Sequence, residues 1–147
     1  MAVTMKIKKL YNDAVIPTRA DKDSAGLDLY AHIIGEEELI YPREVKLISV
    51  GFSMELPHGY YGAIHPRSGL AFKEGLRLAN CCGIIDSSYR GEVKVALYND
   101  SDMTRVISNN ERIAQMIIEE YPDVFVVETN ELSETERGEG GFGHSGK

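Results

Sequence analysis

The chain has 147 residues, 43% of them apolar and 27% charged, about one domain's worth of sequence with enough apolar material for a core. A formal net charge of −7 excludes a protein that coats nucleic acid by counterion release, which needs a basic face. It leaves phosphorylated small molecules open, because a few arginines and a metal ion can offset the field locally.

The opening stretch, Met1 to Leu10, is basic but lacks the apolar run of a signal peptide, and no segment reaches transmembrane length. No membrane partner is expected. The only cysteines, Cys81 and Cys82, are sequence neighbours, and Cα atoms about 3.8 Å apart are too close for an unstrained disulfide. Reduced thiols suit a cytoplasmic setting, or an intracellular host compartment if the chain is viral.

Along the chain the apolar pattern has mostly period two. Val45 to Leu56 places Val45 and Leu47 in one phase and Ile48, Val50, Phe52, Met54 and Leu56 in the other, which predicts a β-bulge near Leu47 or two abutting strands. Ser68 to Lys73, stopped before Gly75, is the one short helix predicted. Val93, Val95 and Leu97 alternate with Glu92, Lys94 and Ala96, a half-buried strand. Ile113 to Ile118 and Val124 to Val127 are apolar on both faces and suit strands buried on both sides. Turn signals at Pro42-Arg43, Pro57-His58-Gly59, Ser108-Asn109-Asn110 and Tyr121-Pro122-Asp123 separate these runs. Many short strands at close spacing predict an all-β chain, a jelly-roll-like sandwich or barrel with at most one short helix. From Ser133 the period disappears and glycines accumulate. The expected division is a folded domain over 1–132 and a flexible Gly-rich arm over 133–147.

Three stretches carry chemistry. In Asn80 to Asn99, NCCGIIDSSYRGEVKVALYN, Asp86 precedes Ser87-Ser88. It reads either as a turn residue capping its own backbone or as a carboxylate at a hairpin mouth that accepts a proton from water. Tyr89 could present a flat face to a sugar, or belong to the core. In Pro66 to Ala71 an Arg, a hydroxyl and a Gly precede a helical turn, which makes a phosphate seat or an ordinary N-cap. Gln115 lies among apolar neighbours in RIAQMI and must find a partner, protein or ligand. In the tail, glycines free N–H groups for an anion, Arg137 adds a fork and Phe142 a stacking face.

Singly these signals are weak, but their order is specific. Ala25-Gly26-Leu27-Asp28-Leu29, PRSGLA from Pro66, GIIDSSYRG from Gly83, RIAQMI from Arg112 and RGEGGFGHSG from Arg137 resemble the five motifs of trimeric dUTPases. The resemblance implies a jelly-roll homotrimer with C-terminal arm exchange. Its implied reaction is Mg²⁺-dependent hydrolysis of dUTP to dUMP and pyrophosphate, which limits uracil in DNA and supplies dUMP for thymidylate. On matching positions it implies that Asp86 activates the attacking water and contacts the sugar. Tyr89 packs under the deoxyribose, while the backbone around Cys82 to Ile85, through Gly83 and Ile84, and at Lys94, with Asn80, reads the uracil edge. Arg67, Ser68, Gly69 and Gln115 hold the triphosphate, and Arg137, Phe142 and Gly143 close the site from the tail. It implies no direct protein ligand for Mg²⁺, which triphosphate and water would chelate, with Asp28 at most an outer-sphere supporter. Two positions depart from the pattern: Cys81-Cys82 on the base-reading hairpin, and His144-Ser145 in the tail. A dCTP deaminase of the same fold and a non-catalytic jelly-roll binding module are the rival expectations. The arm opposes the first, and the presence of Asp86 and Tyr89 the second.

Overall fold

The structure is a computed structural model and describes residues 2–141. In chain order the strands are β1 (Lys6–Lys9), β2 (Leu27–Tyr30), β3 (Glu37–Ile40), β4 (Val45–Ser49), β5 (Phe52–Glu55) and β6 (Tyr60–Pro66). After a short helical turn come β7 (Leu76–Leu78), β8 (Gly83–Ile85), β9 (Lys94–Asn99), β10 (Arg105–Ser108) and β11 (Arg112–Glu120). All pairings are antiparallel. A four-stranded sheet runs β2-β11-β6-β8, a three-stranded one β4-β9-β7, and β1-β5 and β10-β3 form two ribbons. Strands far apart in sequence are thus neighbours, as in a jelly roll. The expected all-β class holds.

The core between the layers is built from the inward phase of each strand. Leu29, Phe52, Ile64, Leu97, Ile107 and Met116 are fully buried. In β9 the alternation read from sequence is met, with Val93, Val95 and Leu97 inside and Lys94 exposed. The ladder of β4 on β9 runs unshifted from Val45↔Tyr98 to Ser49↔Lys94, which rules out a bulge at Leu47. Ile48, Val50, Phe52, Met54 and Leu56 keep one buried phase throughout, and the slip arises because Val45 and Leu47 face outward, 54% and 66% exposed. Two strands do abut here, at Gly51, whose φ of +74° few other residues tolerate. A Cβ there would also lie 2.6 Å from the Ala14 Cβ. The one register shift among these ladders lies between Arg112 and Ala114, where β11 meets β2.

Residues 68–74 are helical. The last five, Leu70–Glu74, are wound more widely than an α-helix, and the Gly75 N–H returns to the Leu70 carbonyl. Gly75 then ends the turn at φ 68°. The predicted helix is therefore present, one residue longer.

The expectation for Val124–Val127 is corrected. No strand follows β11 among the described residues, and Val124, Phe125, Val126 and Val127 are 74 to 92% exposed. Composition marks an apolar run but does not say whether a neighbouring strand is there to pair with it.

Candidate active site

Two groups of polar side chains stand at the rim of the four-stranded sheet, and each is positioned by strand register. The first lies where β2, β11 and β6 run side by side. Gln115 is directly opposite Asp28 on one side and His65 on the other, so their side chains share one face of the sheet. The Asp28 carboxylate, 12% exposed, accepts Arg112 Nη1 at 3.1 Å and pairs with Arg67 Nε at 3.3 Å. Arg67 Nη1 also donates to the Arg112 carbonyl at 3.0 Å. Two guanidinium groups on one carboxylate leave a net positive seat with unused N–H donors. The Gln115 amide donates to the Pro66 carbonyl at 3.0 Å, a protein partner for the polar side chain that sequence singled out. That arrangement explains Gly26, since a Cβ there would stand 2.6 Å from Gln115 Oε1. Ser68 and Gly69 are exposed where the helical turn begins.

The second group surrounds an open pocket of about 350 Å³ lined by Ile84, Ile85, Asp86, Tyr89, Glu92 and Lys94. Its wall is the connection from β8 to β9, which the sequence suggested as a hairpin; β8 pairs with β6, and β9 with β4 and β7, so the segment instead passes from one sheet to the other. Asp86 sits at the first corner, where its main-chain carbonyl accepts the Tyr89 N–H at 3.1 Å. The turn is closed by backbone, and the Asp86 carboxylate bonds to nothing among the described residues. This disfavours reading Asp86 as a cap. Tyr89 is 43% exposed, so it is no core residue. Its hydroxyl donates to the Glu92 carbonyl at 3.0 Å, which lays the ring over Gly91. A Cβ on Gly91 would come within 2.5 Å of the ring carbon Cζ.

Just before β8 Asn80 is exposed, and Cys81 takes a left-handed φ of 59°, uncommon outside glycine. The Cys82 N–H closes back onto the Asn80 carbonyl at 2.5 Å. Gly83 pairs with Ile64, and a Cβ at 83 would approach the Ile64 Cβ to 3.2 Å. Arg137 folds on its own segment, donating from Nε to the Gly140 carbonyl at 2.7 Å. Phe142, Gly143 and His144 lie outside the described residues.

Of the residues anticipated from sequence, the chain gathers Arg67 and Gln115 with Asp28 in one place. Ile84, Ile85, Asp86, Tyr89 and Lys94 come together in another. No residue of the first group lines the pocket of the second. One residue escaped the sequence reading. Glu92 lines the pocket, and its place two residues before Lys94 in an alternating run was the available signal. Arg112, one of the arginines lying in the motif stretches, braces Asp28, a contact between residues 84 apart that no local pattern discloses.

Among the described residues no group of three or more His, Cys, Asp or Glu side chains could hold a metal ion. The carboxylate nearest the cationic seat, Asp28, is occupied by guanidinium groups. The seat thus offers N–H donors to an anion and no open carboxylate to a cation.

The dUTPase family model matches residues 12–146. The deoxyuridine 5'-triphosphate nucleotidohydrolase of Nautilia profundicola is 48% identical over 97% of this chain and 99% of its own. That of Yarrowia lipolytica is 45% identical over 98% of this chain and 90% of its own. A Staphylococcus bacteriophage 80alpha dUTPase variant solved with dUpNHpp superposes with a TM-score of 0.89 at 28% identity, covering 98% of this chain and 99% of that one. The sandwich, the two polar groups and these likenesses agree: the chain belongs to the dUTPase family.

Proposed function

We infer that this protein hydrolyses dUTP to dUMP and pyrophosphate, with the Asp86 pocket holding the nucleoside and the Asp28 cluster holding the phosphates. The observation that carries the reading is Asp86: a carboxylate at a pocket mouth, unbonded to protein, three residues from an exposed ring. A free carboxylate there can take a proton from water as the water attacks the α-phosphorus. Tyr89, pinned over Gly91, fills the space a ribose 2′-hydroxyl would need. The main chain from Gly83 to Ile85, with Asn80 and Lys94, reads the uracil edge. Cytosine reverses the donor and acceptor pattern there and leaves buried groups unpaired. A backbone this close excludes the thymine methyl by overlap.

Arg67, Ser68, Gly69 and Gln115 hold the triphosphate, and the protein's task is alignment and charge stabilisation. Mg²⁺, when bound on the triphosphate, neutralises phosphate charge. Asp28 supports it from beyond the first shell while orienting Arg67. The tail, through Arg137, Phe142 and Gly143, closes over the nucleotide and excludes water.

The protein works as a homotrimer with exchanged arms. Two features support this: the nucleoside pocket and the phosphate seat do not share a lining within one chain, and Val124–Val127 stand uncovered. A second copy both completes the site and covers the arm.

The test is pyrophosphate release with Mg²⁺ across dUTP, UTP, dCTP and dTTP, alongside sedimentation of the free protein. Selective turnover of dUTP by a trimer is the expected result. Ammonia from dCTP, or no turnover of any substrate, would overturn the reading.

A further inference from the structure

Glu92 has no part in the reaction outlined above, yet its side chain ties the pocket residue Lys94 to a strand outside the pocket. Its carboxylate is 18% exposed and receives the Ser49 hydroxyl at 2.5 Å on Oε1 and the Lys94 ammonium at 3.3 Å on Oε2. The Ser49 hydroxyl oxygen is itself fixed by the Gly51 N–H at 2.9 Å. Ser49 and Lys94 are direct cross-strand partners on β4 and β9. The carboxylate is therefore held rigidly by a strand outside the pocket, and it in turn holds the ammonium. The Glu92 contact to Tyr89 runs through the main-chain carbonyl and would survive any change of side chain.

What this achieves follows from the charges. The pocket receives a neutral base, but Lys94 brings a compact, mobile cation to its wall. Left free, that ammonium would be a phosphate seat, and a triphosphate could enter this pocket instead of the Arg67 seat. Paired with Glu92 it is neutralised, and its stem is fixed against the base.

We propose that Glu92 is a positioning residue that masks the charge of Lys94, so that this pocket takes the nucleoside end of the substrate and rejects the phosphate end. This rests on the assignment of the pocket to the nucleoside. Lys94 is 48% exposed, so the pair has the modest strength of a partly solvated one, and the shifts expected are about two- to fivefold.

The experiment measures binding of deoxyuridine and of inorganic tripolyphosphate to the intact protein, each alone and each with the other present. In the wild type the two should bind together without competing. Glu92→Gln keeps an oxygen for the Ser49 hydroxyl but loses the ion pair. It should weaken deoxyuridine, strengthen tripolyphosphate by a similar factor, and make the two compete. Adding Lys94→Met should abolish the competition, because the unmasked charge is gone. Ser49→Ala, which frees the carboxylate without removing it, should move both affinities in the Glu92→Gln direction by less. It keeps the proposal testable if the Gln variant folds poorly. Unchanged affinities in both Glu92→Gln and Ser49→Ala would overturn the proposal, as would a Glu92→Gln effect that persists beside Lys94→Met, since that marks a purely structural role. A wild type whose Tyr89 ring signals do not respond to deoxyuridine would overturn the nucleoside assignment itself.

Discussion

The Tyr89 hydroxyl reaches over Gly91 to the main-chain carbonyl of Glu92, 3.0 Å away, so the ring that lines the pocket is fixed by backbone at both ends. The fixation depends on Gly91, where any Cβ would overlap the phenol. Gly91→Ala should displace the ring and relax the choice between dUTP and UTP, in the same direction as Tyr89→Ala. The ratio of kcat/KM for the two substrates reports it. A ratio equal to wild type in both variants would mean that another group excludes ribose.

Asp86 should separate binding from turnover. Asp86→Asn keeps the size of the side chain and the carbonyl that closes the turn, but removes the base. A loss in kcat on the order of 10²–10⁴-fold is expected from the usual worth of general-base catalysis, with dUMP affinity changed far less. Single-turnover hydrolysis beside equilibrium binding makes the comparison. Near-normal turnover in a folded variant would remove Asp86 from the role.

The chain after β11 should divide into two functions along its length, Val124–Val127 in assembly and the Gly-rich arm in closure. Deletion after Glu136 removes Arg137 and the rest of the tail while keeping Val124–Val127. It should lower both kcat and affinity, because closure excludes water, and leave the trimer intact. Deletion after Glu120 should abolish the trimer. Sedimentation and turnover on the two truncations decide the matter: full activity after the shorter cut would make the tail a passive end.

A pH dependence follows from the N-terminal ribbon. A hydrogen bond from Lys6 to Glu55, together with the charge of Lys6, holds the Glu55 carboxyl below its ordinary value, and Arg90 adds to this. A depressed folded pKa means stability that is present above the unfolded value, about 4.3. It is lost as the pH falls through the still lower folded one. Glu55→Gln should therefore lower Tm slightly at pH 7 and not at all at the acid end. A Tm difference that stays constant from pH 7 down to pH 3 would assign the effect to packing.

Legibility tracked the range of the interactions. The alternation of Val93, Val95 and Leu97 is local, and so is the stop at Gly75; both were read correctly. Near Leu47 a bulge and two abutting strands were both open, because period-two counting registers a change of phase but cannot tell that Val45 and Leu47 are outward-facing apolar residues. In the site, Asp86, Tyr89 and Lys94 lie within nine residues of one another and line one pocket. The bracing of Asp28 by Arg112 depends on β2 pairing with β11, a long-range register no window contains. Val124–Val127 were misplaced for another reason: an apolar run fixes the need for cover but not the presence of a pairing strand, and no strand follows β11 among the described residues.

The uncovered run has a consequence for the life of a newly made chain. Val-Phe-Val-Val is rich in β-branched and aromatic side chains and free of charge and proline, the composition from which cross-β stacks grow. Pro122 and Asp123 on one side and Glu128 on the other bracket it, as gatekeepers bracket segments that a protein cannot do without. In a homotrimer of the kind proposed, this stretch is uncovered between synthesis and assembly, and capture by a second copy competes with aggregation. High dilution prolongs that interval by mass action, so the yield of refolded enzyme should depend on protein concentration from both directions, falling when chains are too sparse to meet and when they are too crowded to meet in order.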